Sequence, residues 1–383
     1  MEERIRELFS LLIRSLEAGS AEEASLVVEH LKGLFEGEEG GRIRKALEAA
    51  WEGRWEEVEG DSVALLTAAF SALARGDKRR AVQFLERVLS APSPIPEAYQ
   101  LKALLSFSSG RLDEAEKAVS EYERAGGDLA WCSYMRGRIR AERGQIHGAI
   151  ECFEKAVRES PNDATFLSFL AWAKAEAGER EEARKLAERA ASANPASGLP
   201  HMVMGMIELG EGRVEQAIEA MRKWCEASPF DPDAWLSLAK AYIERGGEGD
   251  LEMAKECAER ARELDPDYSE VWAVLGLIAE AQGEIGRAKE CFDRALALEP
   301  GNIDSLEAVA RAHLSRGEWE KLAEVCRKLV EADPEEPAYR QWLGLALEGM
   351  GRLEEAAKVY EEILSMPTLP EEDRPLIYEG LIE

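Results

Sequence analysis

Eight glycines act as a ruler along this chain. Gly76, Gly110, Gly144, Gly178 and Gly212 follow one another at intervals of 34 residues, and after a slip of three the series resumes at Gly283, Gly317 and Gly351. The prolines keep the same period independently: Pro161, Pro195 and Pro229 at 34, Pro266 after 37, then Pro300 and Pro334 at 34. Two residue types that agree on the period and on the place of the slip describe an array of one repeated unit, whose core grows by stacking. The 383 residues, which in an ordinary chain would suggest two or three domains, are therefore expected to form one continuous array.

The period has a simple physical content. A unit of 34 residues holds two helices of roughly four turns and two tight turns. Glycine stands where the first helix ends, a place that favours positive φ. Proline stands where the second helix has ended, because it cannot continue one. An acid or amide beside that proline can cap the next helix, and Asn162-Asp163, Asp265-Pro266-Asp267 and Asp333-Pro334 all read this way.

The unit Ser269–Asn302 carries Trp272, Leu275, Gly276, Ala279, Ala288, Phe292, Ala295 and Pro300. This resembles the tetratricopeptide repeat, W-x2-L-G-x2-Y…A-x3-F…P, in every slot but the tyrosine. The resemblance implies an all-α fold: a right-handed α-solenoid superhelix of stacked antiparallel helix pairs, with the first helix of each pair lining a concave groove. Small residues such as Gly276 and Ala288 would let the two helices approach, and Trp272, Leu275 and Phe292 would fill the space between helices and units. Nine such units fit residues 62–370. The one from Ile303 to Glu336 departs most, with Leu322 in a slot that is usually small.

Residues 1–61 are expected to be irregular helices of the same kind. Ile5–Glu38 reads as a unit around Gly19, Ala24 and Leu31, and Glu39–Asp61 as one whose second helix stops early, at Gly60. The glycine-rich stretch Glu36–Gly41 reads as a loop. Residues 371–383 read as a short capping helix whose first turn, after Pro370, is acidic. The slip falls at Gly246-Gly247-Glu248-Gly249-Asp250, which is either a plain surface loop or a hinge or contact loop.

Composition narrows the function. With 76 acidic against 48 basic residues the net charge is −28, a field that repels phosphate backbones and anionic head groups, so neither nucleic acid nor a membrane surface is the expected partner. No apolar run approaches the length of a membrane span, and the N-terminal helix is amphipathic rather than a leader, so a cytoplasmic protein without membrane insertion is expected. The six cysteines, Cys132, Cys152, Cys225, Cys257, Cys291 and Cys326, form no C-x-x-C pair and read as buried free thiols. The four histidines fall in four different units, which argues against a metal site. Acid pairs such as Glu181-Glu182 and Glu354-Glu355 open second helices, where they complement the helix dipole on a solvated face. No phosphate loop, dinucleotide fingerprint, zinc-protease or nucleophile-elbow motif is present, so neither a cofactor nor catalysis is expected.

The resemblance places function in the groove, at the second, fifth, ninth and twelfth residues of each unit. From residue 63 to 243 these are largely apolar and aromatic, and afterwards acidic. Leu66, Phe70, Leu104, Phe107, Trp131, Tyr134, Trp172, Met202, Met206 and Leu236 are the candidate contacts, with Arg138 and Lys240 as anchors for acidic or backbone groups. Aromatic residues, Met and Arg are the types enriched in interface cores. The leading expectation is a non-catalytic adaptor or scaffold that holds a protein or peptide partner, an apolar segment or amphipathic helix, in the groove. A self-associating homo-oligomer and a regulatory subunit are the alternatives. A carboxylate clamp of the chaperone-binding kind is not expected, because Arg138, Lys240 and Arg311 stand too many repeats apart.

Overall fold

The computed structural model describes residues 4–5, 8–9, 11–13, 27–32, 34, 37–55, 58, 62–92, 94–301, 303–366, 369 and 374, without the side chains of 37–42, 304 and 308. Among the described residues there is no strand. The chain divides into two compact units, Met1–Ala193 and Asn194–Glu383.

The first unit contains α1 (Gly37–Glu52), α2 (Ser62–Ala74), α3 (Lys78–Leu89), α4 (Pro96–Ser108), α5 (Leu112–Arg124), α6 (Leu129–Glu142), α7 (Ile146–Glu159), α8 (Ala164–Glu176) and α9 (Arg180–Ala193). The second contains α10 (Leu199–Gly210), α11 (Val214–Ala227), α12 (Pro232–Arg245), α13 (Asp250–Leu264), α14 (Ser269–Ala281), α15 (Ile285–Leu298), α16 (Ile303–Arg316), α17 (Trp319–Ala332), α18 (Pro337–Gly349) and α19 (Leu353–Ser365). Within each unit the helices pack as antiparallel pairs, α2 on α3, α4 on α5 and so on, and each pair packs on the next.

The two members of a pair differ in sequence for a physical reason. A first helix is covered on several sides, and α2 buries an unbroken run from Ala64 to Ala72. A second helix is covered on one side, and α3 buries only Ala81, Phe84, Leu85 and Val88, an i, i+3, i+4, i+7 stripe, leaving its charges outside. The turns follow the punctuation. Every member of the 34-residue glycine series has positive φ, from 66° at Gly317 to 83° at Gly178. The tryptophan of the repeat pattern also has a polar role: the indole N–H of Trp272 donates to the carbonyl of Pro266 at 2.8 Å, and that of Trp235 to Pro229 at 3.0 Å, tying the start of a first helix to the turn before it.

Outside the α12–α13 pair, which the insertion lengthens, the crossings obey a size rule over sixteen residues. Where the first helix has glycine, the second offers a long side chain that lies over it: Gly137 under Phe153, Gly205 under Met221, Gly276 under Phe292 and Gly344 under Tyr360. Where the first helix has alanine the partner is shorter, as in Ala69 with Leu85, Ala103 with Val119, Ala171 with Ala187 and Ala310 with Cys326. The departure at Leu322 fits the same logic. In the preceding pair Ala288 stands four residues before Phe292, whereas here Leu322 stands four before Cys326, and all four are buried in one core. The large and small side chains have exchanged places at similar total volume.

The three inserted residues make a pinned loop. Gly246 ends α12 with φ 61°, and Gly249 precedes α13 with φ 83°. The nearly buried carboxylate of Asp250 accepts from Arg245 Nε at 2.8 Å and from the Gly247 N–H at 2.7 Å, and Arg245 in turn lies over the Tyr242 ring, 5.3 Å from its centre. Those hydrogen bonds, the one from Arg245 above all, hold the Asp250 carboxyl down to about 2.

Two local expectations are corrected, the glycine-rich loop and the capping by Asp265 and Asp333. Gly37 to Gly41 are helical, the start of α1, rather than loop: the apolar set Leu47, Ala49 and Ala50 buried further on holds the helix, and a glycine costs a helix only about 1 kcal/mol. Asp163 caps α8 as expected, accepting from the N–H groups of Thr165 and Phe166. Asp265 and Asp333 instead accept from Asp267 and Glu335, two residues on across the proline, which leaves them four residues short of the next helix. Gly19, Ala24, Glu36, Gly60 and, except for 374, the expected capping helix at 371–383 lie outside the described residues.

Candidate functional site

In the first unit α4, α6 and α8 are consecutive first helices. Arg138 on α6 is half-buried among aromatic rings. Its guanidinium carbon is 4.5 Å from the centre of the Phe107 ring on α4, 5.5 Å from Phe169 on α8 and 5.6 Å from Tyr134, one turn back on its own helix. Its Nη1 donates to the Tyr134 hydroxyl at 3.2 Å. The Tyr134 ring sits 5.1 Å from Phe166, 5.2 Å from Phe169 and 6.3 Å from Phe153. A cation over an aromatic face contributes about 0.5–1 kcal/mol at partly exposed sites, so these contacts fix the direction of the guanidinium. Leu104, Phe107 and Trp172 are half-buried and pack against the same core cluster as Tyr134.

In the second unit the first helices are α10, α12, α14, α16 and α18. On α10, Leu199, Met202, Met206 and Leu209 recur at i, i+3, i+7, i+10; none is fully buried, and Met206 is 39% exposed. The next two first helices carry charge. The Tyr268 hydroxyl lies 2.6 Å from Asp233 Oδ1 on α12 and 3.2 Å from Glu270 Oε2 on α14, and Lys240 pairs with Glu270. Further along, the Tyr339 hydroxyl donates to Glu307 Oε1 at 2.7 Å, and Arg311 pairs with the same carboxylate. Burial, and then the neighbouring carboxylates, push both tyrosine hydroxyls well above their ordinary pKa, so they act as fixed donors.

The twelve expected contact residues divide by depth. Leu66, Phe70, Trp131, Tyr134 and Leu236 are buried in the helix packing. Leu104, Phe107, Arg138, Trp172 and Met202 are half-buried, and Met206 and Lys240 are exposed. The structure brings Phe107, Tyr134 and Arg138 together, whereas Leu66 and Phe70 belong to a different core cluster. Lys240 meets a carboxylate of its own chain. Phe169, Tyr268 and Tyr339 complete the two faces from positions that the groove-slot pattern omits. A tyrosine next to an acid at the start of a first helix, as in Tyr268 and Glu270, is the signal that would have found one of them.

All six cysteines are buried and free. Among the described residues no three His, Cys, Asp or Glu side chains are grouped to hold a metal ion, and no helix is long and apolar enough to cross a membrane.

Comparison with known proteins agrees with this architecture. Two tetratricopeptide-repeat family models match residues 66–130 and 132–163, and the model of the cilia and flagella-associated protein 70 C-terminal domain matches residues 163–373. Among solved structures, a tetratricopeptide repeat protein from Parabacteroides merdae aligns at TM-score 0.52 and 14% identity over 67% of this chain and all of its own. The human IFIT1 dimer with m7Gppp-AAAA aligns at 0.56 and 15% over 95% of both chains. The Cut9–Hcn1 hetero-tetramer of the APC/C aligns at 0.50 and 12% over 98% of this chain and 96% of that one. At such identities the likeness is one of fold. The chain belongs to the family of the cilia and flagella-associated protein 70 C-terminal domain, and with it to the tetratricopeptide-repeat proteins.

Proposed function

We propose that this chain is a non-catalytic scaffold that holds a segment of a partner protein against the first helices of its repeats. The observation that carries the reading is the face around Arg138. Leu104, Phe107 and Trp172, on the edge of one core cluster, keep part of their apolar surface open, and the Arg138 guanidinium is already oriented by the Phe107, Tyr134 and Phe169 rings from three helices. Pre-ordered aromatic and arginine side chains are the groups that dominate interface energetics, and little rotamer entropy remains to be lost when they are covered. The repeat family supports a role in protein interaction generally.

The test is affinity capture with the full chain, comparing wild type with Phe107→Ala/Trp172→Ala after equal helicity and melting are verified. A protein retained by wild type and lost with the variant supports the reading. Identical capture by both sinks this face, and capture of the chain alone points to self-association in its place.

A further inference from the structure

We propose that the first-helix face of the second unit docks an amphipathic helical segment whose polar edge carries lysine or arginine. This rests on the scaffold reading and names the partner's chemistry. The α10 face formed by Leu199, Met202, Met206 and Leu209 is wholly apolar and partly open. An amphipathic helix is the usual occupant of such a face, and methionine adapts to its side chains.

The sign of the partner's charge comes from α12 and α14. Asp233 and Glu270 approach one tyrosine hydroxyl from two helices, at 2.6 and 3.2 Å. A hydroxyl has a single proton to donate, so Tyr268 holds the two carboxylates together without neutralising them. Lys240 pairs with Glu270 alone, so one negative charge is left over at Asp233, which is exposed. The chain as a whole, at −28, reinforces that sign. A basic side chain would relieve the juxtaposition of like charges, whereas an acidic one would have to compete with Glu270 for Lys240. The geometry is compatible with a helix lying across the repeats. Asp233 on α12 and Glu270 on α14 belong to the two first helices that follow α10, so a partner helix lying across the repeats carries its basic residue beyond its apolar contact with α10.

The probes are two labelled helical peptides with the same apolar face and either lysine or glutamate along its edge, titrated against the full chain by fluorescence anisotropy. The lysine peptide is expected to bind about tenfold more tightly, with the preference shrinking as salt rises. Asp233→Asn/Glu270→Gln, which keeps the hydrogen-bond acceptors, is expected to abolish the preference. Met206→Asp is expected to weaken both peptides. Lys240→Gln is the decisive variant: by releasing Glu270 it should strengthen the lysine peptide about threefold. Equal binding, a preference for glutamate, or weaker lysine-peptide binding in Lys240→Gln overturns the inference and leaves the scaffold reading standing. Binding of neither peptide also overturns it, and the capture experiment at Phe107 and Trp172 then decides the scaffold reading separately.

Discussion

Phe292 lies so close over Gly276 that a Cβ built on the glycine would stand 2.5 Å from the Cε1 atom of the ring. That spacing leaves no room for a methyl group, and the ring itself is buried in the core. Gly276→Ala gains up to about 1 kcal/mol of helix propensity and meets an overpacking cost of about 1–3 kcal/mol. The expected outcome is a melting midpoint lower by about 2–6 °C. Gly205→Ala is the control. There the nearest atom is the Cγ of Met221 at 3.0 Å, on a flexible side chain that can give way, so the midpoint holds or rises. Gly276→Ala/Phe292→Leu recreates the Ala69–Leu85 type of crossing and recovers part of the loss. Circular dichroism melts of the four chains check this.

The pinned loop gives a pH dependence of fixed sign. The folded Asp250 carboxyl is held near 2, below the value of about 4 in an unfolded chain. Its contribution to stability is therefore complete above about pH 4 and is lost as pH falls from 4 towards 2. Asp250→Asn should melt below wild type at pH 7, and the two curves should converge as pH approaches 2. Parallel curves across that interval would show that the Arg245 contact is immaterial.

The thiols should be inert until the chain opens. Burial lifts Cys132, Cys225 and Cys326 to about 12 and Cys257 to about 11, and the thiolate is the reactive species. A disulfide reagent at pH 8 is expected to find almost no reactive cysteine in the native protein and all six in denaturant. Rapid modification of even one native thiol would contradict the packing described.

Gly349, at the end of α18, lies against the ring of Trp319, the first residue of α17, and has no space for a side chain on that face. Gly349→Ala is expected to push the indole outward and shift tryptophan emission to the red. The shift should vanish in a Trp319→Phe background, which separates this ring from the other tryptophans.

The periodicity of the fold was legible because its cause is local. A positive-φ glycine and a helix-ending proline act within one turn, and their spacing survives whatever packs around them. Depth was not legible, because it depends on the size of neighbours two helices away. Tyr134 occupies a groove slot and yet is buried, since Phe166 and Phe169 of the following repeat close over it. Lys240 reads as an anchor for acids until Glu270, thirty residues on, takes its charge. The helix through Gly37–Gly41 was hidden for a related reason: composition points to a loop, and the apolar residues downstream override it.

The sixteen-residue size rule has a consequence for inheritance. Because glycine and its covering ring belong to the same helix pair, each pair carries its own fit, and a 34-codon segment can be copied, lost or exchanged without disturbing that match. A recombination breakpoint between codons 276 and 292 would part Gly276 from Phe292, whereas one in the turn around Pro300 would leave every such match whole. A change of length made at the prolines would keep each glycine with its own covering side chain and would have to rebuild only contacts between repeats, such as Arg138 with Phe107 and Phe169.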